Sequence, residues 1–261
     1  MRYLIFFLSA LVFGISCTKV ITLDLNNNVN TLVIEGNVTN QAGPYFVKLS
    51  QSVNFYAANN YPNVANATVS ISDDAGQNET LANAGNGLYK TLILRGVEGR
   101  TYSLKVILDG KTYTAQSTMP TKVPLDTIRT VSMALGNKVR YSMLPIYRDP
   151  IFFGNNYRFL VYVNGVKDKT DIVFNDNINN GQINIRPLRT SDLESKLGDT
   201  VSVEMQCTDV RTYDYYFSLS KITDTGPGGG TTPANPVNNI VGDALGLFSA
   251  HTVQTKSIVI Q

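Results

Sequence analysis

Residues 101–118 read TYSLKVILDGKTYTAQST, and this stretch decides the fold class. Tyr102 and Leu104 belong to a run in which apolar and polar residues alternate, which is the period of a half-buried strand. Asp109 and Gly110 connect two such runs directly. A two-residue Asp-Gly connection is typical of a type I′ turn, because that turn needs positive φ at both positions. The stretch therefore predicts a β-hairpin.

Short strands separated by turns also occur on the N-terminal side of this hairpin. Residues 31–38 (TLVIEGNV), 45–51 (YFVKLSQ) and 67–72 (ATVSIS) alternate in the same way, and the last run meets an Asp-Asp-Ala-Gly turn at 73–76. Several short strands with regular turns and no helical period are typical of an immunoglobulin-like sandwich. We predict a mostly β protein whose first domain, residues 31–119, is an immunoglobulin-like β-sandwich.

A proline-containing connection follows this first domain. Pro120 and Pro124 stand close together, and proline interrupts a strand ladder because it has no N–H group. Beyond them, residues 157–163 (YRFLVYV) are apolar on both faces, which indicates a central strand. We therefore predict a second β-sandwich-like domain over residues 120–261.

One or two short helices are predicted within this second domain. Residues 191–194 fit a capping box, and Gly198 would end the helix that follows. Asp209 fits the N-cap of another helix. The residues that would share one face of that helix are Val210, Tyr213 and Phe217.

Two connections carry the candidate contacts for a partner or ligand. The segment 224–239 is rich in Gly and Pro, and loops of this length are usually functional or disordered. The connection after residue 51 carries aromatic side chains that suit sugar stacking or protein contact, although they also suit pinning the loop to its sandwich. The candidate contacts are Phe55, Tyr56, Tyr61, Pro233 and Pro236.

The N-terminus predicts an exported, lipid-anchored protein. After Arg2 an apolar run about half as long as a membrane span leads to Cys17, which stands where a signal peptide would be cut. We predict a lipoprotein signal peptide over 1–16 and a lipidated tether over 17–30 that anchors the chain to the membrane. Residues 14–16 (GIS) would also satisfy ordinary signal peptidase.

Charge and cysteine content argue against a nucleic-acid-binding protein and against a disulfide-linked fold. The 22 Lys and Arg residues nearly balance the 20 Asp and Glu residues and form no cluster, which gives nucleic acid binding no electrostatic support. Cys207 has no partner once Cys17 is acylated, so no disulfide is predicted. We interpret Cys207 as a small buried hydrophobe on a strand.

Motifs for catalysis are not found in the sequence. His251 is the single histidine, and we interpret it as a surface residue of the last strand. Neither G-x-S-x-G nor a phosphate-binding loop occurs. Residues 73–74 and 175–177 could ligate calcium, but Asp and Asn are also the usual turn residues, and we favour turns. We predict a protein that is not an enzyme and carries no metal or cofactor.

The order of sequence blocks resembles a known family. Cys17, Lys19 and the TLDL run at 22–25 resemble the opening of a Bacteroidota outer-membrane lipoprotein family, a domain of unknown function. Its members are typically encoded beside TonB-dependent receptors. The later blocks that match in order are VIEGNVTNQAGPYFVKLSQS, ATVSISDDAGQ, GLYKT, GRTYSLKV, DGKTYTAQSTMP, GDTVSVEMQCTDVRTYDYYFSL and NPVNNIVGDALGLFSA.

This resemblance implies a role rather than a reaction. It implies a lipid-anchored outer-membrane accessory or docking subunit of a TonB-dependent receptor, which aids cargo capture or gating. The resemblance leaves open whether the protein faces the periplasm or the cell surface. The alternatives are a free-standing glycan- or peptide-binding surface module and a structural subunit of a larger envelope assembly.

Overall fold

A computed structural model of the chain describes residues 30–54, 60–135, 138–190, 193–223 and 235–261. The predicted signal peptide and Cys17 lie outside the described residues, as does the predicted tether apart from Asn30. The described residues form seventeen strands and one helix, α1 (Val210–Thr223). The strands before residue 120 are β1 (Leu32–Thr39), β2 (Phe46–Gln51), β3 (Thr68–Asp73), β4 (Asn78–Thr80), β5 (Ala82–Gly85), β6 (Leu88–Lys90), β7 (Thr101–Leu108) and β8 (Lys111–Thr118). The later strands are β9 (Thr127–Leu135), β10 (Lys138–Arg148), β11 (Asn156–Val163), β12 (Val166–Lys167), β13 (Ile172–Asn175), β14 (Ile183–Asn184), β15 (Thr200–Thr208), β16 (Ile240–Val241) and β17 (Ala244–Val259).

The first sandwich packs two groups of strands around one core. One group has the order β17-β1-β2-β6-β5, and the facing sheet has the order β16-β8-β7-β3-β4. The largest fully buried side chains between them are Ile34, Leu49, Ile71, Tyr89, Leu94, Tyr102, Leu104, Met119 and Phe248. The prediction of a mostly β, sandwich-like fold is confirmed.

The β7–β8 hairpin follows its sequence prediction. Leu108 pairs with Lys111 across the two-residue connection. Asp109 and Gly110 both have positive φ, 48° and 77°, as a type I′ turn requires. Tyr102 is fully buried because alternate residues of β7 face the core.

The second sandwich is built around β11. This strand pairs with β15 on one side and with β12 and β13 on the other, and β15 pairs with the second half of β17. The sheet β14-β10-β9 covers the inner face. Seven of the eight β11 residues are buried, which confirms the predicted central strand. Cys207 is also buried, on β15, and burial raises the pKa of its thiol.

The sixteen-residue strand β17 belongs to both sandwiches. Its first half, from Ala244, runs parallel to β1, and its second half, from Thr252, runs antiparallel to β15. Gly246 allows the close approach to β1, because a Cβ there would lie 2.0 Å from the carbonyl oxygen of Ile34. The boundary between residues 119 and 120 stays a prediction, but the C-terminal strand completes a core on the N-terminal side of it.

One helix prediction is right and one is wrong. Asp209 caps α1, since the Thr212 N–H donates to Asp209 Oδ1 at 2.8 Å. Residues 193–198 form no helix. A carboxylate from another segment binds that backbone instead, since Asp168 Oδ2 accepts from the Leu193 N–H at 2.9 Å. No helix of the described residues is long and apolar enough to cross a membrane.

Candidate functional site

The structure places the predicted contact residues in separate connections. Phe55, Tyr56 and Pro233 lie outside the described residues. Tyr61 is half exposed between β2 and β3, and Pro236 is partly buried before β16. Their assignment as contacts stays a prediction.

Three consecutive apolar side chains are exposed between β10 and β11. Ile151, Phe152 and Phe153 are 72%, 76% and 75% exposed. We call residues 151–153 the apolar tip. An aromatic side chain has about 150–250 Å² to bury, so the tip leaves on the order of 400 Å² of apolar surface in water. The largest apolar patch on a monomeric domain is of about this size, roughly 300–600 Å², and is often functional.

Hydrogen bonds from neighbouring loops hold the backbone of the apolar tip. The Asn180 side-chain amide donates to the Ile151 carbonyl at 2.8 Å, and the Asn155 amide donates to the Phe152 carbonyl at 2.5 Å. Asp176 Oδ2 accepts from the backbone N–H groups of Gly154 and Asn155, at 2.7 and 2.8 Å. The apolar side chains are therefore presented on a backbone fixed on both sides.

The strand register places the apolar tip at the level where the two sandwiches meet. The tip directly precedes β11, whose first residue, Asn156, pairs with Thr208. Thr208 ends β15, and its neighbour Cys207 pairs with Thr252 in the middle of β17. The tip thus lies at the level at which β17 passes from one sandwich to the other, with β15 between β11 and β17.

The sequence carries a signal for the apolar tip that the prediction missed. The run Ile-Phe-Phe stands between Asp-Pro at 149–150 and Gly-Asn-Asn at 154–156, which are turn-forming residues. Three adjacent apolar residues inside a turn have no core to face, and such runs are errors in a design unless they are functional.

A second candidate site lies beneath α1. Strands β12-β11-β15-β17-β1-β2-β6-β5 form one continuous sheet, and the site is on the face of this sheet that points away from both cores. It is a cavity of about 360 Å³. The cavity is lined from above by two tyrosines of α1. It is lined from below by strands β1, β2, β11, β12, β15 and β17. The polar and aromatic residues around it are Glu35, Asn37, Phe46, Arg158, Lys167, Gln206, Tyr215, Tyr216, Ser249 and His251. We call this the helix-covered cavity.

Arg158 is the central charged group of the helix-covered cavity. Its Nε and Nη2 donate to Asp171 Oδ1 at 3.0 and 2.5 Å, and its Nη1 donates to Gln206 Oε1 at 3.2 Å. Its Cζ atom also lies 3.6 Å from the ring centroid of Tyr216. A buried charge held by a carboxylate, an amide and an aromatic face is fixed in orientation.

His251 lies on the floor of this cavity and is buried, so its interpretation as a surface residue is wrong. Its Nδ1 lies 2.9 Å from Ser249 Oγ, and Ser249 Oγ accepts from Thr212 Oγ1 of α1 at 3.2 Å. Burial, followed by repulsion from Arg158, lowers the pKa of His251 to about 3. The ring is therefore neutral at physiological pH, and one of its two nitrogens carries the hydrogen while the other can accept.

The stacked rings of Tyr213 and Phe217 lie on the predicted face of α1. Tyr213 and Phe217 stack at 5.6 Å, so they share a face as expected. That face is partly open to solvent, since Val210 is 57% exposed and Phe217 is 43% exposed. Thr212, which is 1% exposed and hydrogen-bonded to Ser249, faces the sheet instead.

The acidic turns act in the structure as turns. Asp73 Oδ1 accepts from the N–H groups of Ala75 and Gln77, at 3.1 and 2.8 Å, and Asp176 binds the loop before β11. Across the ranges that the structure describes, no group of three or more His, Cys, Asp or Glu residues is placed to hold a metal ion.

A family model described as "Domain of unknown function (DUF4249)" matches residues 18–257, which is most of the chain. A comparison with curated proteins finds no match.

Proposed function

The chain belongs to the DUF4249 family, and from that premise we propose that it is a non-enzymatic, lipid-anchored docking subunit of the outer membrane. In this proposal Cys17 carries the lipid, and the apolar tip binds a TonB-dependent receptor. Docking there would aid the capture of cargo or the gating of the receptor.

The apolar tip is the observation that supports this proposal most directly. Two phenylalanines that are three-quarters exposed on a fixed backbone resemble the aromatic anchors that dominate protein–protein interfaces. Burying one such side chain contributes roughly 1.5–3 kcal/mol. Because the backbone is already fixed, little conformational entropy is lost when a partner covers the tip.

The residues around the apolar tip favour a protein partner over a lipid surface. Loops that bind anionic leaflets carry clusters of Lys and Arg beside their apolar residues. The tip is flanked on one side by Gly154, Asn155 and Asn156, and the adjoining loop presents Asn177 and Asn179. Neutral amides of this kind suit the polar rim of a protein interface.

A pull-down from native outer membranes in mild detergent tests this proposal. The lipidated, tagged protein is compared with the double variant Phe152→Ser/Phe153→Ser. The matched control is Leu92→Ser/Ile93→Ser, which removes another adjacent apolar pair, 62% and 75% exposed, from the first sandwich. Partners are identified and quantified by mass spectrometry.

We expect the wild type and the control to recover a TonB-dependent receptor in near-stoichiometric amount. The tip variant should recover at least about tenfold less receptor. If the wild type recovers no receptor, the receptor role is wrong. If the tip variant recovers as much receptor as the wild type, the apolar tip is not the contact.

A second candidate function is a free-standing ligand-binding surface module. The helix-covered cavity favours it, because 360 Å³ falls within the size range of small-molecule sites, about 300–1,000 Å³. A structural subunit of an envelope assembly would not require that cavity.

A further inference from the structure

The helix-covered cavity carries an inference that is independent of receptor docking, because none of its lining residues belongs to the apolar tip. We propose that this cavity binds a neutral, hydroxyl-rich ligand of about the size of one sugar residue. Its polar groups, its charge balance and its aromatic walls support this class of ligand.

Polar side chains converge on a cavity from which much of the bulk water is excluded. Arg158, Gln206, Ser249 and His251 come from three different strands, and each is at most 9% exposed. These groups satisfy and position one another, since Arg158 donates to Gln206 and His251 Nδ1 lies 2.9 Å from Ser249 Oγ. A convergent set of buried polar groups at one cavity is the usual mark of a ligand site.

The cavity offers hydrogen-bond donors and acceptors together. His251 Nδ1 is engaged by Ser249, which leaves Nε2 to a ligand, as donor in one tautomer and as acceptor in the other. Arg158 uses three of its five N–H groups on Asp171 and Gln206 and retains capacity to donate. At the exposed mouth, Glu35 can only accept and Lys167 can only donate. A hydroxyl group does both, so a ligand rich in hydroxyls satisfies this mixture.

The charges of the cavity balance. Asp171 neutralises Arg158 through an ion pair of 2.5 Å, and Glu35 offsets Lys167 at the mouth. His251 adds no charge because burial keeps it neutral. A phosphate or carboxylate ligand would need an excess of cationic groups, and an amine would need an excess of carboxylates. This balance favours a ligand without net charge.

Aromatic side chains give the cavity flat apolar walls. Tyr215 and Tyr216 line it from α1 with their rings 5.2 Å apart in a T-shaped arrangement, and Phe46 stands at the mouth, 43% exposed. An aromatic ring packs well against the apolar C–H face of a sugar ring, while the sugar hydroxyls reach the polar floor. The combination distinguishes a sugar from a smaller polyol, which has no flat face.

Saturation-transfer difference NMR on the full mature protein tests the proposal. The probes are D-glucose, D-galactose and N-acetyl-D-glucosamine at millimolar concentration. D-glucuronate and D-glucosamine are matched in ring shape and each adds one charge. We expect at least one neutral sugar to bind, and both charged analogues to bind at least about tenfold more weakly. If no neutral sugar binds, or if a charged analogue binds more tightly, the proposal is overturned.

Variants locate the binding site. Phe46→Ala removes an exposed ring at the mouth and leaves both cores unchanged, and His251→Leu removes the buried imidazole. We expect each variant to weaken sugar binding at least about tenfold. Tyr61→Ala, in the aromatic connection of the first sandwich, is the control and should bind as the wild type does. Circular dichroism and thermal melting confirm that each variant is folded.

If Tyr61→Ala loses binding while Phe46→Ala retains it, the sugar binds the aromatic connection and the cavity proposal is wrong. If every variant binds like the wild type, the observed binding lies elsewhere and the proposal is equally wrong. The receptor pull-down is unaffected by either result, so failure here is distinguishable from failure of the docking role.

Discussion

His251 is the residue whose environment has the clearest consequence in solution. It is the single histidine of the chain, and its buried place beneath α1 lowers its pKa to about 3. An unfolded chain returns this pKa to about 6.5. Between those values the unfolded state binds a proton that the folded state does not bind. The corresponding stability is complete above about pH 6.5 and is lost as the pH falls toward 3.

We therefore expect the free energy of unfolding to decrease by up to about 1.4 kcal/mol for each pH unit between about pH 6 and about pH 4. His251→Gln removes the titrating group and should flatten this part of the profile, whereas the carboxylates contribute equally to both proteins. Urea denaturation at constant ionic strength measures both slopes. Equal slopes in wild type and variant would show that His251 is not buried as a neutral ring.

Some residue roles could be predicted from the sequence because they depend on close neighbours. Asp109 and Gly110 form their turn through their own backbone conformations, and Cys207 lies at a core position of an alternating strand. His251 could not be predicted in this way. The first half of its strand is buried on both faces, because α1, which begins at Val210, covers the outer one.

At the scale of single elements, α1 is held to the first sandwich through its cap. Asp209 Oδ1 accepts from the Thr212 N–H within the helix. Asp209 Oδ2 accepts from Ser117 Oγ at 2.6 Å and from the Thr118 N–H at 3.2 Å, at the end of β8. One carboxylate therefore both starts the helix and positions it over the sheet.

Asp209→Ala should lower the free energy of unfolding by about 2–3 kcal/mol, because both sets of hydrogen bonds are lost. Asp209→Asn keeps the helix cap and replaces Oδ2 with an amide nitrogen, so we expect about half of that loss. Urea denaturation of both variants separates the two contributions. An asparagine variant as stable as the wild type would show that the contact with β8 contributes nothing.

The wrong helix prediction has a physical cause at the same scale. The capping box at 191–194 is a local signal. In the fold, Asp168 and Asp199 supply acceptors to the N–H groups of Leu193 and Lys196. The bond from Lys196 to Asp199 is local, but the bond from Leu193 to Asp168 is tertiary, and no local pattern indicates where the Asp168 carboxylate will lie.

At the scale of the whole molecule, β17 connects the two sandwiches. The core of the first contains Phe248 and Ala250 from this strand, although the rest of that core comes almost entirely from residues before 120. The alternation of short strands predicted two β-rich units. It could not predict that the last strand pairs with the first, because pairing across more than 200 residues has no local signature.

This shared strand predicts how the protein unfolds. Separating the sandwiches would break the ladder between β17 and either β1 or β15, so we expect one cooperative transition. Leu49→Ala in the first core and Val203→Ala in the second each create a cavity beside fully buried neighbours. Each should shift the same single midpoint, with a loss of roughly 2–4 kcal/mol.

Hydrogen exchange during urea unfolding gives the readout for each sandwich. If the shared strand couples the two sandwiches, each core variant lowers the protection of backbone amides against exchange in both of them. Leu49→Ala then affects β15 as well as β1, and Val203→Ala affects β1 as well as β15. Ser257→Ala, an exposed position of β17, is the control and should change neither. Two transitions, each sensitive to only one core variant, would mean that the two sandwiches are independent folding units divided near residue 119.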